Sequence, residues 1–421
     1  MSVLLLNTIF LDSNTLSLTA CHVYVHKGKR TLYSLQEENL PEADTVVDCK
    51  HNLVMQSFAC AHHHVYSALA TGMPAPKHIP SNFSEILQYV WWTLDKCLDA
   101  EMIKASALAT AIACAKNGVT FVIDHHSSPS HIMGSQKIIA KAFKKVGVSH
   151  LLCYEITDRN GTLASKFALE ETEQYISQHQ GLVGLHALFT VSGNTLKEAA
   201  YLAAKYKSGT HIHVAEDPID ESYNRCKYGR SVVERLSGYG LLNSSKTILS
   251  HCLHIDDNER KLINNSPVWI AQNTDSNLNN KVGFFNSEGI SKNVMLGTDG
   301  MHSDMLKSAK SAFFVGQNFD KIDYAETWRR LRNVHRYIAS NQFSGDADDN
   351  LVVMDYNPPT DLNENNFLSH FIFSIESKHI QHVISDGNLI VKDRKVLTVN
   401  EDEVMQHCRV LSKVLWKKMA N

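Results

Sequence analysis

The chain has 421 residues, 43% hydrophobic and 20% charged, so it is long enough for one large barrel with an appendage and needs no disulfide or metal staple to fold. Lys plus Arg number 41 against 44 Asp plus Glu, and a net charge of −3 argues against a general nucleic-acid binder. No segment reaches the roughly 18 consecutive apolar residues of a membrane span, and the start MSVLLLNTIF lacks the basic flank and cleavage site of a signal peptide.

Residues 1 to about 55 read as short strands at 4–11, 22–26, 32–34 and 45–48, without helical periodicity. From there the pattern changes. Apolar runs lie at 58–64, 119–124, 149–155, 182–189, 210–215, 247–252, 268–272 and 294–299. Between them, stretches such as 103–116, 135–145, 195–207 and 221–236 carry helical spacing, and 82–98 is a helical insertion after the first run. Continuous apolar strands alternating with helices predict an α/β fold with a parallel sheet covered on both faces. Eight such units fit a distorted (β/α)8 TIM barrel; an open doubly wound sheet is the alternative, weakened because no GxGxxG opens a helix. After about 349, strands are expected at 350–356, 370–373, 382–385 and 388–391, then a helix at 401–419. The two β-rich ends, 1–55 and 349–421, are expected to pair into a small β-sandwich beside a barrel of residues 56–348. Nine cysteines without a CxxC pair point to a reduced, cytoplasmic protein.

Twenty-three histidines direct attention to metal or acid–base chemistry. His62 and His64 are two apart at the end of the first run, so a strand places both rings on one face, with His63 turned outward. The fifth run reads His211-Ile212-His213-Val214-Ala215-Glu216. The sixth ends in Ser250-His251-Cys252, and the eighth in Leu296-Gly297-Thr298-Asp299-Gly300. Each alone is compatible with a core histidine or a turn aspartate. Together they put metal-ligand side chains at the end of strands 1, 5, 6 and 8, which is the catalytic rim of a barrel. Three imidazoles and a carboxylate suit a divalent ion with a position left for water. Such an ion would lower the pKa of that water from ~15.7 toward ~7. Glu216 can serve as the base if the chain bends after His213, and His251 can hold the water or the developing oxyanion instead of the metal.

The ordered set His62-x-His64, His213-x-x-Glu216, His251 and Leu296-Gly297-Thr298-Asp299 resembles the amidohydrolase superfamily, in its branch of mononuclear metal-dependent deaminases and chlorohydrolases. Within it, Trp91-Trp92-Thr93-Leu94-Asp95, Asp124-His125-His126, Cys153-Tyr154-Glu155 and His186-Ala187-Leu188 are most similar to the SsnA-type aminohydrolases, a group without an assigned substrate. The resemblance spans nearly the whole chain. It implies metal ligation by His62, His64, His213 and Asp299, with Glu216 as proton shuttle and His251 beside the water. It also implies one divalent ion, zinc first and iron as the alternative. The rim of strand 4 holds His186 and no lysine, so a carbamylated-lysine two-metal site is not expected. Three stretches depart from the family pattern. Gln56-Ser57 replaces Pro-Gly, Cys60 replaces Asn, and Gln272-Asn273-Thr274-Asp275-Ser276-Asn277 stands for His-Asn-Pro-x-Ser-Asn.

His186, His126, His125 and Arg159 follow barrel strands and are expected to donate to oxygens or ring nitrogens of a heterocycle; the alternative is a structural role. Trp92, with Trp91, is expected either to cover an aromatic substrate or to pack in the core. The expected activity is a metal-dependent aminohydrolase, a deaminase of a small nitrogen heterocycle, purine-like by resemblance. Alternatives are a chlorohydrolase or cyclic-amide hydrolase, and a non-catalytic binding protein on a retired barrel. The expected partner is a small molecule, not nucleic acid or a membrane, and a homodimer is left open.

Overall fold

Alternating apolar side chains build five N-terminal strands in the computed structural model, which describes residues 2–26, 28–290 and 293–420. They are β1 (Ser2–Leu11), β2 (Leu18–His26), β3 (Lys29–Ser34), β4 (Thr45–Asp48) and β5 (Leu53–Gln56). Eight parallel strands follow: β6 (Phe58–His63), β7 (Val119–His126), β8 (Ser149–Tyr154), β9 (Val183–Ala187), β10 (Thr210–Val214), β11 (Ile248–His251), β12 (Trp269–Gln272) and β13 (Val294–Leu296). They form one arc of three strands, β6 to β8, and one of five, β9 to β13. Isolated parallel bridges join the arcs at both seams: His63 with Asp299, and Leu152 and Ile156 with Gly181 and Leu185. This is the expected (β/α)8 barrel, with its irregularity concentrated at the seams.

Inside the barrel, Ala59, Ala61, Phe121, Ile123 and Leu151 pack on Val334, Tyr337 and Ile338 of the helix Tyr324–Ser340, which plugs one end. The outward residues of the same strands, such as Phe58, Cys60 and Val122, join the layer beneath the surrounding helices. A period of two thus serves two cores at once, which is why these strands read as continuous apolar runs.

The terminal strands β14 (Leu351–Met354), β15 (Ile380–Ser385), β16 (Asn388–Lys392) and β17 (Lys395–Val396) complete a second sheet. Its nine strands run β17-β16-β15-β14-β5-β1-β2-β3, with β4 paired to β1. Strands from the two ends thus lie within one hydrogen-bonded sheet, where a sandwich was expected, and its residues Val3, Leu5, Val23, Val54, Leu351 and Val353 share a core. Strand β5, which the sequence pattern does not distinguish, is the seam: it lies parallel to β1 and antiparallel to β14.

Two expected elements differ. Residues 370–373 belong to the helix Phe367–Phe373, not to a strand. Phe367 and Phe371 are four apart and both pack on Trp328, so helical spacing decides what a short apolar run leaves ambiguous. The helix expected over 221–236 is two, Pro218–Tyr228 and Val232–Gly238. Gly229 ends the first at φ 62°, and a capping box of Ser231 and Glu234 starts the second.

Gly118 links the helix Ala100–Lys116 to β7 at φ 71°. An added Cβ there would lie 2.6 Å from Val352 Cγ1 and 2.9 Å from Ile380 Cδ1. Gly118→Ala is therefore expected to destabilise the fold by about 2–4 kcal/mol, through overpacking and left-handed backbone together. Denaturant melting checks this; a change under about 0.5 kcal/mol would show that the terminal sheet moves freely away from the barrel.

Candidate active site

The barrel rim gathers the histidines because β6 changes phase. Ala59 and Ala61 face the interior, and strict alternation would send His62 and His64 outward. The register with β7 shifts between Cys60 and His63, and this irregularity turns His62 and His64 inward. His63 points away, with Nε2 3.0 Å from Ser303 Oγ. The remaining groups stand on strained backbone. Ala215 (φ 44°), His251 (φ 74°), Cys252 (φ 54°) and Asp299 (φ 53°) all occupy left-handed conformations that non-glycine residues rarely adopt. The bend at Ala215 is the one needed to bring Glu216 over the barrel. It is held by Asp220, whose carboxylate accepts the amides of Ala215 and Phe189, each at 3.0 Å.

The donor set fits a divalent cation. His64 Nδ1 donates to the carbonyl of His125 at 2.7 Å, and His213 Nδ1 donates to the carbonyl of His186 at 2.8 Å. Both Nε2 atoms then carry lone pairs, yet they lie 3.1 Å apart. Two lone pairs in contact need a positive charge between them. Asp299 Oδ1 lies 3.1 Å from His64 Nε2 and 3.6 Å from His62 Nε2, which has no hydrogen-bond partner in its buried position. His62 is oriented from behind, with Nδ1 2.8 Å from His211 Nε2. Burial opposes charge on His64, but Asp299 beside it prevails and pushes the imidazole up to about 9. Burial likewise opposes ionisation of Asp299, and His64 outweighs it and holds the carboxyl well below the usual carboxylate range. A proton answers that demand for positive charge weakly; a metal ion answers it with all four ligands. His62, His64 and His213 form one ligand-competent triad, and His62, His251 and Asp299 another.

Glu216 and His251 face each other across this centre, with Oε2 3.6 Å from His251 Nε2. Asn277 Nδ2 donates to His251 Nδ1 at 3.0 Å, so the ring hydrogen sits on Nε2, aimed between Glu216 and Asp299 Oδ2 at 3.7 Å. Burial, and then the charge of Asp299, raise the Glu216 carboxyl well above its ordinary range. A carboxyl so placed can take up and hand on a proton, as a shuttle must.

A cleft opens over these groups. His64, His213, Glu216 and Asp299 line its floor; Phe83, Leu87, Trp91, Trp92 and Phe189 line its mouth, where Phe83, Leu87 and Val282 form a separate apolar cluster. Trp92 and His186 both reach the cleft, their rings 5.9 Å apart. Two expected substrate contacts are withdrawn from it. His125 lies behind the wall, with Nε2 donating to the Leu185 carbonyl at 3.0 Å; its carbonyl orients His64 instead. His126 is packed between Tyr66 and Tyr154, with Nε2 2.9 Å from Ser128 Oγ. Arg159 borders the cleft, but its donors are turned onto Glu155, Asp95 and Ser127. Burial opposes this charge cluster; Arg159 nevertheless holds Glu155 well below the carboxylate range, while Asp95 is pushed up to about 6. Glu155, Asp95, His211 and Asn277 went unassigned in the sequence. Asp95 and Glu155 fell within the family-like motifs at 91–95 and 153–155, without a role attached.

Two of the family departures are absorbed locally. Gln272 accepts from the buried Arg330 at 2.9 Å, and Cys60 packs against Thr298 Oγ1 at 3.4 Å, so neither disturbs a ligand-type side chain.

Comparison with known proteins extends this picture. A 5'-deoxyadenosine deaminase from Methanopyrus kandleri is 28% identical over 342 residues, 75% of this chain and 77% of its own. A 5-methylthioadenosine/S-adenosylhomocysteine deaminase from Caldanaerobacter subterraneus is 25% identical over 404 residues, 87% and 88% of the two chains. Among solved structures, a zinc-bound adenosine deaminase from Xanthomonas campestris superposes with a TM-score of 0.83 at 17% identity, covering 99% of this chain and 98% of that one. The zinc complex of atrazine chlorohydrolase from Arthrobacter aurescens gives 0.80 at 15% identity, over 97% and 100%. The family model described as the amidohydrolase family matches residues 53–341, the stretch from β5 through the plug helix that carries every metal-type ligand above, and the chain belongs to that family.

Proposed function

We propose that this enzyme is a metal-dependent aminohydrolase that removes the exocyclic amino group of a 6-aminopurine carried by a nucleoside. The carrying observation is Glu216, raised in pKa and 3.6 Å from His251 Nε2, over four convergent ligands at the base of an apolar cleft. The adenosine-type deaminases among its relatives support the purine assignment. His62, His64, His213 and Asp299 would hold the ion, zinc in this reading and iron(II) as the alternative. Bound there, a divalent ion supplies Lewis-acid activation of water at neutral pH. Glu216 accepts one proton from the attacking water at Oε2 and passes it to the ring nitrogen beside the reacting carbon; it then takes the remaining proton of the added hydroxyl and gives it to the amino group, which leaves as ammonia while the carbon–oxygen double bond forms. His251, its ring turned by Asn277, donates Nε2–H to the oxygen that is adding. The aromatic mouth excludes bulk water, which strengthens both interactions. The nine free cysteines fit a reducing cytoplasm, and no helix among the described residues is long and apolar enough to cross a membrane.

The test is ammonia release from a panel of purines, nucleosides, pterins, pyrimidines and triazines by metal-replete enzyme. Turnover of a 6-aminopurine nucleoside is expected. Chloride release from a chlorotriazine, or ring opening of a cyclic amide without ammonia, would overturn the deaminase reading.

A further inference from the structure

The cleft holds five carboxylates, Glu155, Glu216, Asp217, Asp220 and Asp299, and Arg159 is the one Lys or Arg among its described lining residues. Arg159 is not free. One guanidinium nitrogen donates to Glu155, the other to Asp95 and Ser127, and the Trp92 ring covers it at 5.1 Å. Two carboxylates on one guanidinium leave that wall with excess negative charge. Asp220 is engaged by the amides of Ala215 and Phe189, and an ion in the metal centre would offset Asp299 and Glu216. Asp217 remains without a cationic partner among the described lining residues, and Glu155 with Asp95 carries one negative charge more than Arg159 neutralises.

Among the described lining residues most devices for holding an anion are taken, and of the Arg159 nitrogens Nε alone lacks a partner, in a buried position. The helix Pro218–Tyr228 points its N-terminus at the cleft, but Asp217 already caps it, accepting the amide of Ile219 at 2.9 Å. His186 also turns an acceptor inward. The Thr190 hydroxyl donates to the Ala187 carbonyl at 3.0 Å, so it accepts from His186 Nδ1 at 2.8 Å, which leaves Nε2 as a lone pair. Apolar walls of Phe83, Leu87 and Trp91 keep the dielectric low and sharpen any repulsion.

We infer that this cleft selects neutral or cationic substrates and rejects anionic ones, with Glu155 and Asp217 setting the discrimination. The inference rests on the deaminase reading and narrows it to uncharged nucleosides or ones bearing an amine, against nucleotides and carboxylate-bearing analogues. Three probes test it at fixed ionic strength: adenosine, 5'-amino-5'-deoxyadenosine and adenosine 5'-monophosphate. Affinities are measured by calorimetry on metal-replete Glu216→Gln protein, and kcat/KM on the parent. The phosphate is expected to bind about a hundredfold or more weaker than adenosine, the scale of like-charge juxtaposition, and the amine at least as tightly as adenosine. Asp217→Asn, at the partly exposed rim, and Glu155→Gln, in the wall, should each narrow the phosphate penalty by about tenfold. Because Glu155 is buried against Arg159, Asp217→Asn decides the matter if the Glu155 variant fails to fold. Equal binding of adenosine and its phosphate, or a penalty unchanged in Asp217→Asn, would overturn the inference while leaving the deaminase reading intact. Binding of none of the three would overturn both.

Discussion

Glu216→Gln is expected to keep the fold and the bound ion but to lower kcat by about 10²–10⁴, the usual size of a positioned acid–base group. Glutamine is nearly isosteric, and it can keep the contact with Asn280 Nδ2, 3.4 Å from Oε1. What it cannot do is carry a proton between water and leaving group. Glu216 is not one of the four residues read as ligands, His62, His64, His213 and Asp299, and its near neighbour is His251 at 3.6 Å, so its loss should leave ion content unchanged. KM should move little, since the change falls on the transition state. The measurement is steady-state kinetics beside elemental analysis of the same preparation. Retention of more than about a tenth of parent kcat would place the shuttle on another group, and loss of the ion would make Glu216 a ligand.

The barrel was legible because its strands are covered on both faces and therefore written in uninterrupted apolar runs. The four ligand-type positions were legible for a different reason: they recur at the same end of successive runs. Local geometry was not. Nothing in Phe58-Ala59-Cys60-Ala61-His62 announces that the phase of β6 shifts before His62, because a bulge is set by the neighbouring strand as much as by its own residues. The bend that delivers Glu216 depends on Asp220, five residues beyond Ala215, closing back on that amide. The withdrawal of His125 and His126 from the cleft was not legible for the same reason. A strand-end residue can face the cleft or support a group that does, and only packing decides. His125 donates to Leu185 across the barrel and offers its carbonyl to His64, a contact between residues sixty-one positions apart that no local pattern records. Helix Phe367–Phe373 shows the remaining limit, since seven largely apolar residues fit either period until Trp328 supplies the surface they pack on.

The second large effect separates ligands from their neighbours. His213→Ala and Asp299→Ala are each expected to reduce bound metal from about one ion per chain to near zero, whereas His251→Ala should keep the ion and lose about 10²–10³ in kcat. The asymmetry follows from where the hydrogens sit. His213 and His64 give their Nδ1 hydrogens to carbonyls and turn lone pairs inward, the state a metal requires. His251 accepts from Asn277 at Nδ1 and so presents a hydrogen on Nε2, suited to an oxyanion and unsuited to a cation. Its 3.7 Å separation from Asp299 Oδ2 places that hydrogen beside the centre without taking a ligand position. Removing Asp299 takes away the carboxylate next to both His62 and His64, and removing His213 takes away one of the two opposed lone pairs. The readout is elemental analysis after metal-supplemented expression, with thermal melting to confirm that each variant folds. If His251→Ala also empties the site, then its Nε2 carries a lone pair, the Asn277 amide is reversed, and His251 joins the ligands while the oxyanion needs another donor.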